Sequence, residues 1–153
     1  MKQFSFFLFL LFTSVLVFSQ DQKRQATFSL QNGVAVQGYD VVAYFKQGKA
    51  AKGIAANSVY HQGVKYQFAN AANKEEFKSN PSKYEPQYGG WCAYAMGATG
   101  EKVEIDPETF KIINGQLYLF YNKLFNNTLK TWNKDEASLK AKANTKWAKI
   151  YNK

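Results

Sequence analysis

The chain has 153 residues, a formal net charge of +9 and a single cysteine. That length suits one domain with a modest core, and one thiol excludes an internal disulfide framework. Residues 122–153 hold eight lysines against Asp135 and Glu136, a balance of +6; the basicity therefore belongs to a terminal segment and does not imply a nucleic-acid surface.

Lys2 precedes an apolar run from Phe4 to Phe18, which polar residues 19–24 then break. The run is too short to span a bilayer and has the layout of a secretory leader, with cleavage expected after Ser19. The mature chain is expected to be periplasmic or secreted, which argues against a nucleic-acid partner. Six of the 13 phenylalanines leave with residues 1–19, yet the mature chain stays aromatic-rich, and packing of those rings is its expected source of stability.

Residues 20–36 read as a linker or N-terminal edge segment. The run Gly38 to Phe45, GYDVVAYF, reads as a strand, with Asp40 tying down a turn. Ser58 to Phe68 reads as a hairpin about Gln62-Gly63, with Val64, Tyr66 and Phe68 on the buried face. Asn70 is the expected cap of a short helix that turns Phe77 inward. Asn80-Pro81 starts another helical turn, with Asn80 as its cap, and buries Tyr84.

After Gly89-Gly90, residues 91 to 96 read as a short helix ended by Gly97. Thr109–Ile113 and Gln116–Tyr121 flank Asn114-Gly115, the dipeptide of a tight hairpin. The second arm, apolar on both faces, is expected to be a central strand. Leu124, Phe125, Thr128, Leu129 and Trp132 have the spacing of one buried helical stripe. A last helix from about Asp135 turns Leu139, Ala143, Trp147 and Ile150 to the core. Lys142, Lys146, Lys149 and Lys153 form a second face, solvated or touching an anionic membrane or acidic partner. Strands mixed with short helices, and helices last, make an α+β domain: a small antiparallel sheet of hairpins, short helices and a C-terminal helical segment.

The residues that carry chemistry centre on QYGGWCAYAMG, Gln87 to Gly97. Cys92 and Met96, four apart, would share a helical face, and thiolate and thioether are soft ligands suited to copper or zinc. His61, the only histidine, could supply a nitrogen from another element. Gly89 and Gly90 would let backbone approach a ligand, with Trp91 and Tyr94 beside it. The same residues allow plainer roles: Cys92 as a small core residue, Met96 as gap filler, and the glycines as a tight turn. Catalysis would need a nucleophile and base, for which Cys92 with His61 is the only obvious dyad.

GYDVVAYF, the element with Phe77, Asn80, Pro81 and Tyr84, QYGGWCAY and the hairpin from Asp106 to Tyr121 together resemble an exported YHS-domain protein over residues 37 to 150. The resemblance implies a YHS-like domain over 37–123 with C-terminal helices, 124–153, packed on it. Related modules with several cysteines are associated with metal binding. Here Cys92 alone matches, and Val41 stands where the family pattern commonly has proline. Three functional expectations follow: binding of a soft metal ion or small ligand near Cys92; a non-catalytic protein-interaction or structural module with Cys92 in its core; or a thiol-dependent enzyme or redox protein.

Overall fold

The computed structural model describes residues 20–152, so the expected leader and Lys153 lie outside it. The architecture is α+β, with three small sheets, short helices and a long C-terminal helix. Among the described residues no helix is long and apolar enough to cross a membrane.

Residues 20–27 form a helix, α1, rather than a linker. Tertiary anchors explain this: Arg24 is buried in an ion pair with Glu85, and Trp91 Nε1 donates to the Thr27 carbonyl at 2.8 Å. The strands β1 (Leu30–Gln31) and β2 (Val34–Ala35) then form a minimal antiparallel pair. It joins the edge of the first sheet, ordered β1-β2-β4-β3, through a parallel pairing of Val34 with Lys65.

The stretch expected to be a strand is a helix, α2 (Val41–Gln47), and this is a correction. Asp40 caps it, accepting from the N–H groups of Val42 and Ala43, and Gly48 ends it in the left-handed conformation. Val41, Val42, Ala43 and Tyr44 have no accessible surface. Burial and a capped first turn thus outweigh the strand preference of β-branched and aromatic residues. Tyr44 reaches across to donate to the Pro107 carbonyl at 2.8 Å, and burial holds its phenol well above the ordinary range.

The hairpin of β3 (Ile54–His61) and β4 (Val64–Phe68) follows the expected pattern, with Val64, Tyr66 and Phe68 buried. In α3 (Ala71–Ser79), Asn70 caps through the Asn73 N–H at 2.8 Å, and Phe77 is buried. In α4 (Pro81–Tyr84) proline takes the first position and Tyr84 is buried, but Asn80 makes no capping bond with its side chain. Its Oδ1 accepts from the Ser82 hydroxyl instead, at 3.2 Å.

A 3-10 turn over Gln87–Gly90 leads to α5 (Ala93–Ala98). The ribbon of β5 (Asp106–Ile113) and β6 (Gln116–Phe120) stands as a two-stranded sheet, so β6 is not a central strand. It is nonetheless buried on both faces, because it is the wall between two cores. Leu117 and Leu119 face one, with Val41, Tyr44, Phe68, Phe77 and Cys92. Tyr118 and Phe120 face the other, with Tyr88, Met96, Trp132, Leu139 and Ala143. The alternation of strand side chains divides the interior in this way.

The expected stripe beginning at Leu124 is also corrected. The strands β7 (Asn122–Lys123) and β8 (Asn126–Asn127) pair as a hairpin whose two-residue tip is Leu124 and Phe125. Both tip residues stand almost wholly in solvent with positive φ. Asn127 accepts from the Leu129 N–H and starts α6 (Thr128–Trp132), which buries only Thr128 and Trp132. In α7 (Glu136–Tyr151), Leu139 and Ala143 are buried and Trp147 is half-buried. One residue of the lysine face is not simply solvated: Lys146 donates to the carbonyls of Gly97 and Ala98, at 2.9 and 2.8 Å.

Gly97 does not end α5 but lies inside it, where α7 crosses. A Cβ there would stand 2.5 Å from the Leu139 carbonyl oxygen. Gly97→Ala forces the two helices apart; overpacking of about 3 kcal/mol outweighs the gain of about 1 kcal/mol in helix propensity. A net loss of about 2 kcal/mol in urea unfolding is the expected result, and an unchanged midpoint would refute the crossing as drawn.

Candidate functional site

Cys92 sits where three segments meet. Its backbone is not helical: it caps α5 with ψ of 117°, its N–H donates to Val103 at 2.9 Å, and its carbonyl accepts from Met96 at 3.0 Å. The sulfur has no accessible surface. It accepts from the Tyr121 N–H at 3.3 Å and lies 3.5 Å from the Thr128 hydroxyl oxygen. That hydroxyl donates its one proton to the Tyr121 carbonyl at 2.8 Å. The S–H therefore donates to Thr128, since a hydroxyl has a single proton to give. The thiol closes a small ring of bonds joining the start of α5, the end of β6 and the start of α6.

Met96 is fully buried in the other core, against residues that include Trp132 and Phe120. The two sulfurs serve opposite sides of the wall. The shared helical face expected for them fails because Cys92 is the cap and not the first turn of the helix. His61, at the end of β3, packs edge-on against Phe77 with ring centroids 5.9 Å apart. The structure does not gather Cys92, Met96 and His61 into a soft-metal centre. Among the described residues no three of the His, Cys, Asp and Glu side chains cluster to hold a metal ion.

Gly89 and Gly90 serve packing. Gly89 has φ of 60°, and a Cβ on it would strike Phe28 and Trp147 at 2.9 Å. Its carbonyl accepts from the Ser29 N–H. Gly90, with φ of 85°, lies beside Pro86 and Ser29. Trp91 is spent on Thr27, with Lys102 over its ring at 5.9 Å. Of the four residues expected to touch a ligand, Tyr94 is the one that shares a cleft with Cys92.

That cleft encloses about 460 Å³ and opens to solvent. Cys92, Ala95 and Thr128 are its buried lining residues; Tyr94, Val103 and Tyr121 are half-buried; Ala98, Thr99, Glu101 and Asn126 are exposed. The Thr99 hydroxyl oxygen lies 3.1 Å from both the Ala95 carbonyl and a Glu101 carboxylate oxygen and accepts from the Glu101 N–H at 3.3 Å, which ties Glu101 to the end of α5. Sequence reasoning reached Cys92 and Tyr94 and missed the rest. Ala95 and Ala98 lie on α5 itself; the others come from the α5–β5 connection, the end of β6, β8 and α6, and no local signal announces that those segments meet.

A second, smaller hollow of about 220 Å³ lies over the 3-10 turn, among Arg24, Phe28, Glu85, Tyr88, Trp147 and Tyr151. Its charged groups are already paired: Arg24 pairs with Glu85, and Tyr66 donates to the same Glu85 oxygen at 2.7 Å.

No family model matches the chain, and no curated protein or solved structure matches it.

Proposed function

We propose that the chain is an exported YHS-type domain that binds a small organic molecule in the cleft above Cys92. The observation that carries this is the cleft itself. Its volume falls within the range of small-molecule sites, and it combines apolar walls with a few convergent polar groups. Two tyrosines, two threonines, an asparagine and a glutamate line one opening, with Cys92 among the buried residues beneath it. The resemblance of the QYGGWCAY element points to the same place. The apolar segment Phe4 to Phe18, read as a leader, supports export.

Within this reading Cys92 is a positioning residue. Its sulfur is committed to Tyr121 and Thr128, which favours an organic guest over a metal ion and a binding role over a thiol nucleophile.

Nile red, a neutral apolar dye, serves as the probe. The wild-type chain is expected to bind it saturably at one site with a blue-shifted emission. Ala98→Trp, which fills the cleft from its exposed rim, is expected to abolish that binding without lowering the melting temperature. Equal dye binding by both proteins, or none by either, would defeat the proposal.

A further inference from the structure

We infer that the guest of this cleft is a cation: a small amine or quaternary ammonium compound with an apolar body. This rests on the binding role just proposed and adds the chemical class. In a chain of 153 residues with 20 lysines and arginines against 11 acidic residues, ten residues lining a cleft would hold about one basic side chain on average. Among the described residues lining this one there is none, and its single formal charge is the Glu101 carboxylate.

Two lysines stand on adjoining segments, each with a partner of its own. Lys102 lies over the ring of Trp91, and Lys146 gives its ammonium to the carbonyls of Gly97 and Ala98. Tyr94 and Tyr121 line the same cleft as Glu101. An ammonium group is attracted both by a carboxylate and by the faces of aromatic rings. An anion would be repelled by the carboxylate, with no basic side chain in the lining to offset it. The Thr99 hydroxyl oxygen accepts from the Glu101 N–H at 3.3 Å and lies 3.1 Å from its carboxylate, which places the charge at the rim. The apolar remainder of the guest would lie against Ala95, Ala98 and Val103.

Three naphthalene compounds of matched shape test this on the full chain: 1-naphthylmethylamine, 1-naphthalenemethanol and 1-naphthoate, titrated by ligand-observed NMR. The amine is expected to bind about tenfold tighter than the alcohol, a ratio in keeping with one exposed ion pair plus ring contacts, and the acid weakest. Glu101→Gln is expected to abolish the advantage of the amine over the alcohol. If the alcohol binds and is blocked by Ala98→Trp, but the amine has no advantage or keeps it in Glu101→Gln, the charge inference falls and the cleft reading stands. If none of the three binds, the cleft reading falls and the inference with it.

Discussion

Asp40→Ala will cost about 4 kcal/mol of stability. The carboxylate has no accessible surface. One oxygen accepts from Val42 and Ala43 at 2.9 and 3.2 Å. The other accepts from the Ala69 N–H and the Asn73 side-chain amide at 2.9 and 2.7 Å. Four donors thus converge on one anion, and they belong to the start of α2, the exit of β4 and the body of α3. Hydrogen bonds to a charged group contribute about 1.5–3 kcal/mol each, and they do not add. Alanine would strand buried N–H groups at three elements at once. Urea unfolding followed by circular dichroism reads the loss directly, with a melting temperature lower by about 15 °C. Asp40→Asn keeps the helix cap but turns an amide N–H₂ toward Ala69 and Asn73, and recovers less than half. A drop below about 1 kcal/mol for alanine would mean that the carboxylate does not bind the three elements together.

Glu85→Ala is expected to cost about 4 kcal/mol, for a different reason. It leaves the Arg24 guanidinium buried without its counter-charge, the situation that makes a broken internal ion pair expensive. Burial alone would lower the Arg24 pKa; the Glu85 charge and hydrogen bond outweigh it and raise it. Burial, then Glu85, also raise the Tyr66 phenol well above its ordinary range. Arg24 further donates to the Gln62 carbonyl at 3.2 Å, so α1 is fastened to both the β3–β4 turn and α4. Hydrogen exchange makes the prediction specific: protection over residues 20–27 should disappear in Glu85→Ala while that of β5 and β6 persists. The paired change Arg24→Met with Glu85→Leu should be milder than Glu85→Ala alone, since both charges then leave together. A paired change as damaging as the single one would show that shape, and not charge, holds α1 in place.

These two carboxylates also mark where the sequence is legible and where it is not. The β3–β4 and β5–β6 hairpins, the Asn70 cap and the inward turn of Phe77 and Tyr84 can all be read locally. Each is decided by residues within a few positions of one another. Asp40 draws half its bonds from residues about 30 positions away, and with them the decision that GYDVVAYF is a helix. Arg24 does the same for α1 across 61 positions. Leu124 and Phe125 mislead because apolar spacing predicts burial, while the tight β7–β8 turn places them outside. Cys92 and Tyr94 could be singled out from composition and spacing. Glu101, Tyr121, Asn126 and Thr128 could not, because only the folded chain brings those segments to one opening.

The tip of the β7–β8 hairpin has a practical corollary. Leu124 and Phe125 touch neither core, yet Asn126 beside them belongs to the rim of the cleft. Solvent-exposed loop tips are where foreign sequence is tolerated. A tag or dye spliced between these two positions would sit beside the opening while burdening none of the interior. The molecule thus offers a ready attachment point for an optical reporter of whatever enters it.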